Sequence, residues 1–322
     1  MERNRQGYRD LMKAVAYFQN GIGNFVLAMP SLMALASMTE SKKIDVCLNS
    51  GWMDYRRKAI EEILIAWRDV VNKVFDYPGD GFDIDEYDLY FWSPFGEKNN
   101  ELSDKFSKKL ISRNLYLPNW RDTGVHEADY YMQIVRAQGF SGKAPVVRFP
   151  LADNPVLDLK RPIIGVCNGY YRLNGYWSKK GWPYYEKLCE VMRLYFDGSL
   201  VAVGSEGEII GNDYLSENYC GRLTILETAK VIAQLDLFVT NDTGLMHIAD
   251  ILGVPMIALF GPTIVSKNRP RGKKSIVLRG NSGCVECLLT EKFKTCVDNI
   301  CMKSISVGDV MAKAKEVLRD FI

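Results

Sequence analysis

The chain has 322 residues, of which 47% are hydrophobic and 25% are charged, and its net charge is +2. This length predicts two domains of roughly 150 residues rather than one α/β core. The composition is typical of a globular protein, and the near-neutral charge argues against nucleic acid as a partner. No run of about 18 apolar residues is present, so we expect no membrane span. A signal peptide would show a basic segment followed by an apolar stretch, and we find no such pattern. We therefore expect a cytoplasmic protein.

The first half of the chain alternates between short apolar runs and amphipathic segments. The pattern predicts strands at 13–19, 43–49 and 87–93, and helices at 25–38, 55–75 and 126–139. A glycine loop at 20–24 precedes the first helix, and we place Pro30 in the first turns of that helix. Three prolines between 141 and 160, a fourth at 162, and weak periodicity predict the connection between two domains.

The second half repeats this alternation. It predicts strands at 162–168, 236–241 and 255–261, a strand running into a glycine turn at 198–208, and helices at 182–196, 225–235, 244–252 and 306–322. Two βα domains of similar size suggest a cleft between two parallel sheets. Ligands of such folds bind at the C-terminal ends of the strands.

The segment NDTGLMHIADILGVPMIALFGPT (241–263) has polar residues where one predicted strand ends and again where the next ends. Asp242, Thr243 and Gly244 precede a predicted helix, whose N–H groups and dipole attract anions. Thr243 is suited to cap this helix and to donate to a phosphate, and His247 lies one turn further on. The turn GPT should lie beside them, which suits a diphosphate. The alternative is that Asp242 and Thr243 only cap the helix and His247 packs internally.

This segment resembles the signature of glycosyltransferase family 9, the heptosyltransferase family. That signature is an acid-Ser/Thr-Gly-x-x-His-x-Ala crossover, then Gly-x-Pro, then Phe/Tyr-Gly-Pro-Thr. The matching residues are Asp242, Thr243, Gly244, His247, Ala249, Gly253, Pro255, Phe260, Gly261, Pro262 and Thr263. Four further stretches resemble the family in order: NGIGNFVLAMPSLMAL, HEADYYMQIVRAQGF, KKGWPYYEKL and LTILETAKVIAQLDLFV.

The resemblance implies an α/β protein of the GT-B fold, with two Rossmann-like domains facing across a cleft. Residues 1–155 would form the acceptor domain, and residues 156–322 the nucleotide-sugar domain with a four-cysteine insert at 284–301. The implied reaction is inverting transfer of a sugar from a nucleotide diphosphate to an acceptor hydroxyl, without a metal at the diphosphate. The expected partners are an ADP-heptose-like donor and a glycan, lipopolysaccharide or protein acceptor. Contact with a membrane surface stays open.

The resemblance also implies roles for single residues. Lys180 matches the lysine of the Lys-x-Trp-Pro stretch and is the candidate diphosphate contact, with the adjacent Lys179 as a substitute. The other donor-binding candidates are Thr243 and Gly244 at the diphosphate, Gly261 and Thr263 beside them, and Glu208 or Glu206 at the ribose hydroxyls. Asp242 and His247 should approach the sugar and, with Asn24, are the candidate catalytic residues. A solvated lysine pair and a plain surface carboxylate are the alternatives.

Asn24 departs from the family pattern. Many relatives carry Gly-x-Gly-Asp in the N-terminal loop, with that aspartate as the proposed general base, whereas this chain reads GIGN. An amide cannot accept a proton at neutral pH. Three interpretations stay open: another carboxylate is the base, Asn24 only orients the acceptor, or the protein binds a nucleotide sugar without transferring it. A Rossmann oxidoreductase is disfavoured because GIGNFV lacks the third glycine of the dinucleotide fingerprint.

Four of the eight cysteines cluster near the C-terminus. They are Cys284, Cys287, Cys296 and Cys301, with the spacing C-x₂-C-x₈-C-x₄-C. Four thiolates at this spacing are able to close a tetrahedral site, and the x₂ pair is typical of a metal knuckle. We expect a structural zinc or iron ion and no catalytic metal, and some family members with a similar tail bind iron. Free thiols or a redox pair are the alternatives.

Overall fold

The computed structural model describes residues 12–18, 21–49, 55–77, 79, 81–92, 104–106, 108–109, 123–152, 157–170, 176–208 and 212–321. The chain divides into two compact units, with the boundary between Pro150 and Leu151. This boundary lies inside the proline-rich stretch 141–160, a few residues before the predicted start of the second domain.

The first unit contains a parallel sheet with helices in its connections. Its strands are β1 (Ala14–Phe18), β2 (Ile44–Asn49), β3 (Val71–Tyr77) and β4 (Leu89–Trp92), and its longer helices are α1 (Ile22–Ala36), α2 (Tyr55–Ala66) and α3 (Glu127–Ala137). Within the described residues the strand order is β3-β2-β1-β4, and every pair is parallel. All residues of β1 are buried, as expected for a central strand covered on both faces.

The predicted helix over 55–75 is wrong in its second half. The helix ends at Ala66, and β3 begins at Val71. Buried Trp67 closes the turn between them, since its carbonyl oxygen accepts hydrogen bonds from the N–H groups of Val70 and Val71 at 3.1 and 2.9 Å. The following run is rich in β-branched and aromatic residues, which favour a strand once a neighbouring strand is available for pairing.

The start of α1 also differs from the prediction. The helix begins at Ile22 after an extended Gly21, so the last residues of the predicted loop 20–24 are helical. Pro30 lies in the middle of the helix instead of its first turns, where its ring removes one backbone donor. Asn24 therefore lies in the first turn of α1, where the helix backbone fixes the direction of its side chain.

The second unit contains the larger sheet. Its strands are β5 (Ile163–Cys167), β6 (Ser199–Ala202), β7 (Glu217–Asn218), β8 (Leu237–Asn241), β9 (Met256–Phe260) and β10 (Ser275–Arg279). Its α-helices are α4 (Tyr185–Tyr195), α5 (Ile225–Ile232), α6 (Gly244–Leu252), α7 (Val265–Asn268), α8 (Glu291–Lys294), α9 (Ile300–Lys303) and α10 (Val307–Val317), and a 3₁₀ helix spans Tyr176–Lys180. The sequence prediction missed β7, β10 and the three short helices α7, α8 and α9.

The order of this sheet, β10-β9-β8-β5-β6-β7, determines where a ligand would bind. All described pairs are parallel, and the order of connection changes direction between β5 and β8. Open α/β sheets bind ligands outside the carboxyl ends of the strands at such a switch point. The chain after β5 and the chain after β8 therefore meet at the expected place for a site.

The sheet of the second unit is covered on both faces. Trp182, Tyr185 and Met302 belong to the apolar layer on one face. Phe238 and Met246 belong to the layer on the other face. The predicted α/β class with parallel sheets is confirmed. Across the part of the chain that the structure describes, no helix is long and apolar enough to cross a membrane.

Candidate functional site

A buried ion pair lies where β8 ends. Lys180 Nζ is 2.6 Å from Asp242 Oδ2, and His247 Nε2 is 3.8 Å from Asp242 Oδ1. The side chains of Lys180 and Asp242 are only 15% and 9% exposed. Burial opposes ionisation of Asp242, but the charges of Lys180 and His247 outweigh it and hold the pKa of Asp242 below its usual value. Asp242 is therefore ionised at neutral pH. Three residues that the sequence singled out lie together here.

Thr243 is the N-cap of α6. Its Oγ1 accepts a hydrogen bond from the N–H of Met246 at 3.3 Å, and Gly244 is the first helical residue. Both Thr243 and Gly244 are half-buried. The remaining N–H groups of the first turn have no intrahelical acceptor, so they are suited to an anion. The helix begins and ends at the predicted residues, with the left-handed Gly253 as its C-cap.

Glu208 is buried beside Thr243. A side-chain carbon added at Gly169 would lie 3.1 Å from the Thr243 methyl group and 3.5 Å from Glu208 Oε1, so the loop after β5 lies close to both side chains. The same Glu208 oxygen accepts a hydrogen bond from the N–H of Ser205 at 2.9 Å. Glu206 is exposed. Burial therefore distinguishes the two acids that the sequence left as candidates for the ribose. The alternative that Glu208 is a plain surface carboxylate is wrong.

The turn after β9 contains Gly261 and Thr263. Thr263 is buried, and its hydroxyl lies close enough to Asp242 to stabilise the carboxylate, although no partner at ordinary hydrogen-bond geometry is present among the described residues. Gly261 has a packing reason to be glycine. A side-chain carbon added there would lie 2.5 Å from Met302 Sδ and 2.9 Å from Cys301 Sγ.

A buried amide network supports the site, and sequence reasoning missed it. Asn241 Nδ2 and the N–H of Trp182 both donate to Asn168 Oδ1, at 2.8 and 3.1 Å. The hydroxyl of Tyr185 donates to Asn241 Oδ1 at 3.1 Å. The network ties the ends of β5 and β8 to the loop that follows Lys180. An asparagine at the end of each of two buried strands was the available signal.

The first unit holds a separate polar contact at Asn24. Asn24 Nδ2 donates to Glu127 Oε1 at 2.6 Å, and the hydroxyl of Tyr131 donates to the same oxygen at 2.7 Å. Glu127 is the first residue of α3 and is only 2% exposed. A side-chain carbon added at Gly21 would lie 3.5 Å from Asn24 Oδ1, which places that oxygen beside the residue preceding α1. The stretch HEADYYMQIVRAQGF was singled out only for its family resemblance, and Glu127 was missed as the partner of Asn24.

The four clustered cysteines lie between β10 and α10, on residues 284–303, which we call the cysteine segment. Cys287 and Cys301 are buried, and Cys284 and Cys296 are half-buried. Burial raises the pKa of Cys301 to about 11, and burial together with the neighbouring Cys284 raises that of Cys287. Thiols have the donor chemistry for zinc or iron. Their arrangement does not fit, because no three His, Cys, Asp or Glu side chains in the described ranges are placed to hold a metal ion.

Residues 143–297 match the family model "Glycosyltransferase family 9 (heptosyltransferase)". The resemblance to glycosyltransferase family 9 is confirmed. The match lies almost entirely in the second unit and includes the ion pair, the α6 N-terminus and the Glu208 loop. It ends before Cys301, and the family resemblance of the four-cysteine motif is not confirmed.

Curated relatives match over part of the chain. Lipooligosaccharide heptosyltransferase 2 of Haemophilus influenzae is 35% identical over an alignment of 134 residues, with coverage of 37% of this chain and 37% of that protein. Lipopolysaccharide heptosyltransferase 2 of Escherichia coli K12 is 31% identical over an alignment of 135 residues, with coverage of 38% of each chain. The matched region therefore spans well under half of the length of these relatives.

Solved structures superpose on nearly the whole chain. ADP-heptose lipopolysaccharide heptosyltransferase II of E. coli superposes with a TM-score of 0.69 at 19% identity, over 96% of this chain and 99% of that chain. TibC, an iron-containing dodecameric glycosyltransferase of enterotoxigenic E. coli, superposes with a TM-score of 0.65 at 12% identity, over 98% and 78%. At these identities the likeness shows the fold, which is the GT-B fold that the sequence predicted.

Proposed function

We propose that the protein is an inverting glycosyltransferase that moves a heptose-like sugar from an ADP-linked donor to an acceptor hydroxyl. The observation that carries this proposal is the convergence of Lys180, Asp242 and the N-terminus of α6 at the switch point of the second sheet. The matched relatives are heptosyltransferases. Among the structural neighbours, TibC has been solved with ADP-D-β-D-heptose and the E. coli heptosyltransferase WaaC with ADP.

The second unit supplies the donor half of this chemistry. Negative charge grows on the departing diphosphate as the bond to the anomeric carbon breaks, so fixed positive groups there lower the barrier. Lys180 and the N–H groups of Thr243 and Gly244 are the groups proposed to do this. Lys180 would contact both Asp242 and the bound diphosphate. Its pairing with Asp242 keeps the ammonium group at the site between turnovers. Asp242 and His247 are the side chains proposed to contact the sugar.

The first unit is proposed to bind the acceptor through Asn24. A carboxylate only accepts hydrogen bonds, so the NH₂ group of Asn24 faces Glu127 and Oδ1 is the atom that accepts from an acceptor hydroxyl. Glu127 is 2% exposed, and one of its oxygens already accepts two hydrogen bonds, which argues against direct proton abstraction by this residue. The geometry thus favours an orienting role for Asn24, with the barrier lowered mainly at the leaving group.

Release of ADP tests transfer against binding alone. The protein is incubated with ADP-heptose and a panel of acceptors comprising lipooligosaccharide cores, free glycans and peptides. We expect ADP release that depends on one acceptor class, and a rate about 10²-fold lower in Lys180→Ala. The exposed Lys187→Ala is the matched control. Donor binding without ADP release from any acceptor would instead support the alternative, a nucleotide-sugar-binding protein without transferase activity.

A structural metal in the cysteine segment stays a prediction. TibC is iron-containing, and the four thiols here have suitable chemistry in an arrangement that does not form a site. Elemental analysis of the purified protein tests the prediction. About one zinc or iron ion per chain, lost in Cys284→Ser/Cys287→Ser, would support it. Metal-free protein with an unchanged melting temperature would contradict it.

A further inference from the structure

The cysteine segment contacts both turns that carry donor-binding candidates. One contact is with the residues around Lys180, at the end of the 3₁₀ helix. The other is with the turn Gly261–Thr263, after β9. These turns are distant in sequence from each other, and the segment hydrogen-bonds to both.

Lys179 makes the first contact. Its Nζ donates to the carbonyl oxygens of Phe293 and Lys294, at 2.8 and 3.1 Å. These carbonyls end α8, where a positive charge is favourable. Lys179 and Lys180 are neighbours in sequence but have different partners, because Lys180 pairs with Asp242. The structure thus separates the two lysines that the sequence treated as substitutes for each other.

Asn299 holds the backbone of the same loop. Its Nδ2 donates to the carbonyl oxygen of Gly181 at 2.8 Å and to that of Lys179 at 3.3 Å. The residues on either side of Lys180 are therefore both held by the cysteine segment. Trp177 adds an apolar contact, since its ring centre lies 6.0 Å from that of the buried Phe293 and 5.8 Å from Lys180 Nζ.

Backbone hydrogen bonds make the second contact. The N–H of Glu286 donates to the carbonyl oxygen of Gly261 at 2.9 Å, and the N–H of Leu288 donates to that of Pro262 at 2.8 Å. Glu286 Oε1 accepts from the N–H of Val265 at 3.2 Å, just beyond this turn. Met302 packs so closely on Gly261 that a side chain there would collide with it.

We propose that the cysteine segment is a brace that positions the donor site, and that Lys179 and Asn299 are its positioning residues. The brace rests on the proposed function, because it assumes that Lys180 binds the diphosphate. A lysine side chain has several rotatable bonds, and fixing the backbone on both sides of Lys180 reduces the freedom that is lost when a diphosphate binds. In this proposal Lys179 affects diphosphate binding only by holding Lys180 in place. A residue that contacted the diphosphate itself would contribute to binding independently of Lys180.

Calorimetric binding of ADP to the unaltered chain and to variants of Lys179, Lys180 and Asn299 tests the brace. We expect Lys179→Ala to bind ADP about tenfold more weakly than the unaltered chain, because its neighbour is no longer held in place. Lys179→Arg should recover most of the affinity, since a guanidinium group also donates to two carbonyls. Lys179→Ala/Lys180→Ala should bind no more weakly than Lys180→Ala alone, because residues that act through one another are not additive. The exposed Lys292→Ala, on α8, is the matched control, and melting temperatures check the fold.

Each outcome decides between the roles. Additive losses in the double variant would overturn the brace by showing that Lys179 contacts the diphosphate independently. Unchanged ADP binding in both Lys179→Ala and Asn299→Ala would also overturn it, while leaving the proposed function intact. If Lys179→Ala does not fold, Asn299→Ala decides the question from the other side of the contact. Failure of the unaltered chain to bind ADP would overturn the proposed function and the brace with it.

Discussion

Asn24 donates a hydrogen bond to Glu127 over 2.6 Å, in a place where Glu127 is only 2% exposed. The two side chains are complementary as they stand, since the amide donates and the carboxylate accepts. An aspartate at position 24 would place two carboxylates at this distance. Asn24 and Glu127 thus form a matched donor and acceptor pair in this chain.

Asn24→Asp should therefore be destabilised in a pH-dependent way. One carboxyl of the new pair would have its folded-state pKa raised by the other. A carboxyl whose folded-state pKa is raised contributes fully to stability at pH values below its unfolded-state pKa of about 4. This contribution is lost as the pH rises through its folded-state pKa. We expect Asn24→Asp to approach the stability of the unaltered chain near pH 4 and to be less stable by about 1–3 kcal/mol at pH 8. Urea unfolding at a series of pH values measures this.

Asn24→Asp/Glu127→Gln is the control for that experiment. It restores one donor and one acceptor, so the extra pH dependence should disappear. If Asn24→Asp alone follows the pH profile of the unaltered chain, the two side chains are not paired as described.

Asp242→Asn should be less stable than the unaltered chain, and this difference in stability should depend on pH in the opposite sense to that of Asn24→Asp. The pKa of Asp242 is lowered in the folded state, so its contribution is present above the unfolded value of about 3.9 and is lost as the pH falls through the folded value. Breaking a buried pair typically costs about 3–5 kcal/mol. We expect a large difference from the unaltered chain at pH 6 that narrows below about pH 4. Equilibrium unfolding of both proteins checks this, with the exposed Asp213→Asn as the control. A difference that stays constant down to pH 2 would contradict the lowered pKa.

Glu208→Gln should weaken nucleotide binding if Glu208 binds the ribose. Replacing a charged acceptor costs about 1.5–3 kcal/mol per hydrogen bond, so ADP binding should weaken by about tenfold or more. Binding of inorganic diphosphate, which has no ribose, should be unchanged. Glu206→Gln is a matched control, because that acid lies two residues away and is exposed. Equal losses for ADP and diphosphate would place Glu208 at the phosphates or show that the loop has been disrupted.

Thr243→Ala separates capping from ligand binding. Loss of the N-cap hydroxyl should reduce the free energy of unfolding by about 1 kcal/mol. It should also weaken ADP binding, whereas Thr243→Ser keeps the hydroxyl and should preserve both properties. Thermal melting and calorimetry on the same samples measure the two effects. Lower stability with unchanged ADP binding would leave Thr243 as a cap only.

Local patterns were sufficient to predict the helix that begins at the proposed donor site. The helix over 244–252 was predicted at both ends, because Thr243 as N-cap and Gly253 as C-cap are local signals. The segment 55–75 was predicted incorrectly because its spacing fits an amphipathic helix, and only pairing with β2 makes its second half a strand.

Contacts between distant residues could not be predicted from such patterns. Asn24 and Glu127 are 103 positions apart, and Lys179 and Phe293 are 114 apart. The residue types in GIGN and KKGW do not indicate which distant residues these segments contact. The contacts arise because α1 packs on α3 and the cysteine segment packs on the residues around Lys180. Lys180 and Asp242 were predicted to share a site only because the family resemblance placed them together.

The central claim is that the second unit binds a nucleotide diphosphate sugar through Lys180 and the N-terminus of α6. Calorimetric titration of the full chain with ADP-heptose, beside Lys180→Ala/Thr243→Ala, tests it most directly. We expect a dissociation constant in the micromolar range for the unaltered chain, corresponding to about −8 kcal/mol, and no measurable binding to the variant. Equal binding by both proteins, or none by the unaltered chain to ADP-heptose or to any other nucleotide sugar, would contradict the claim.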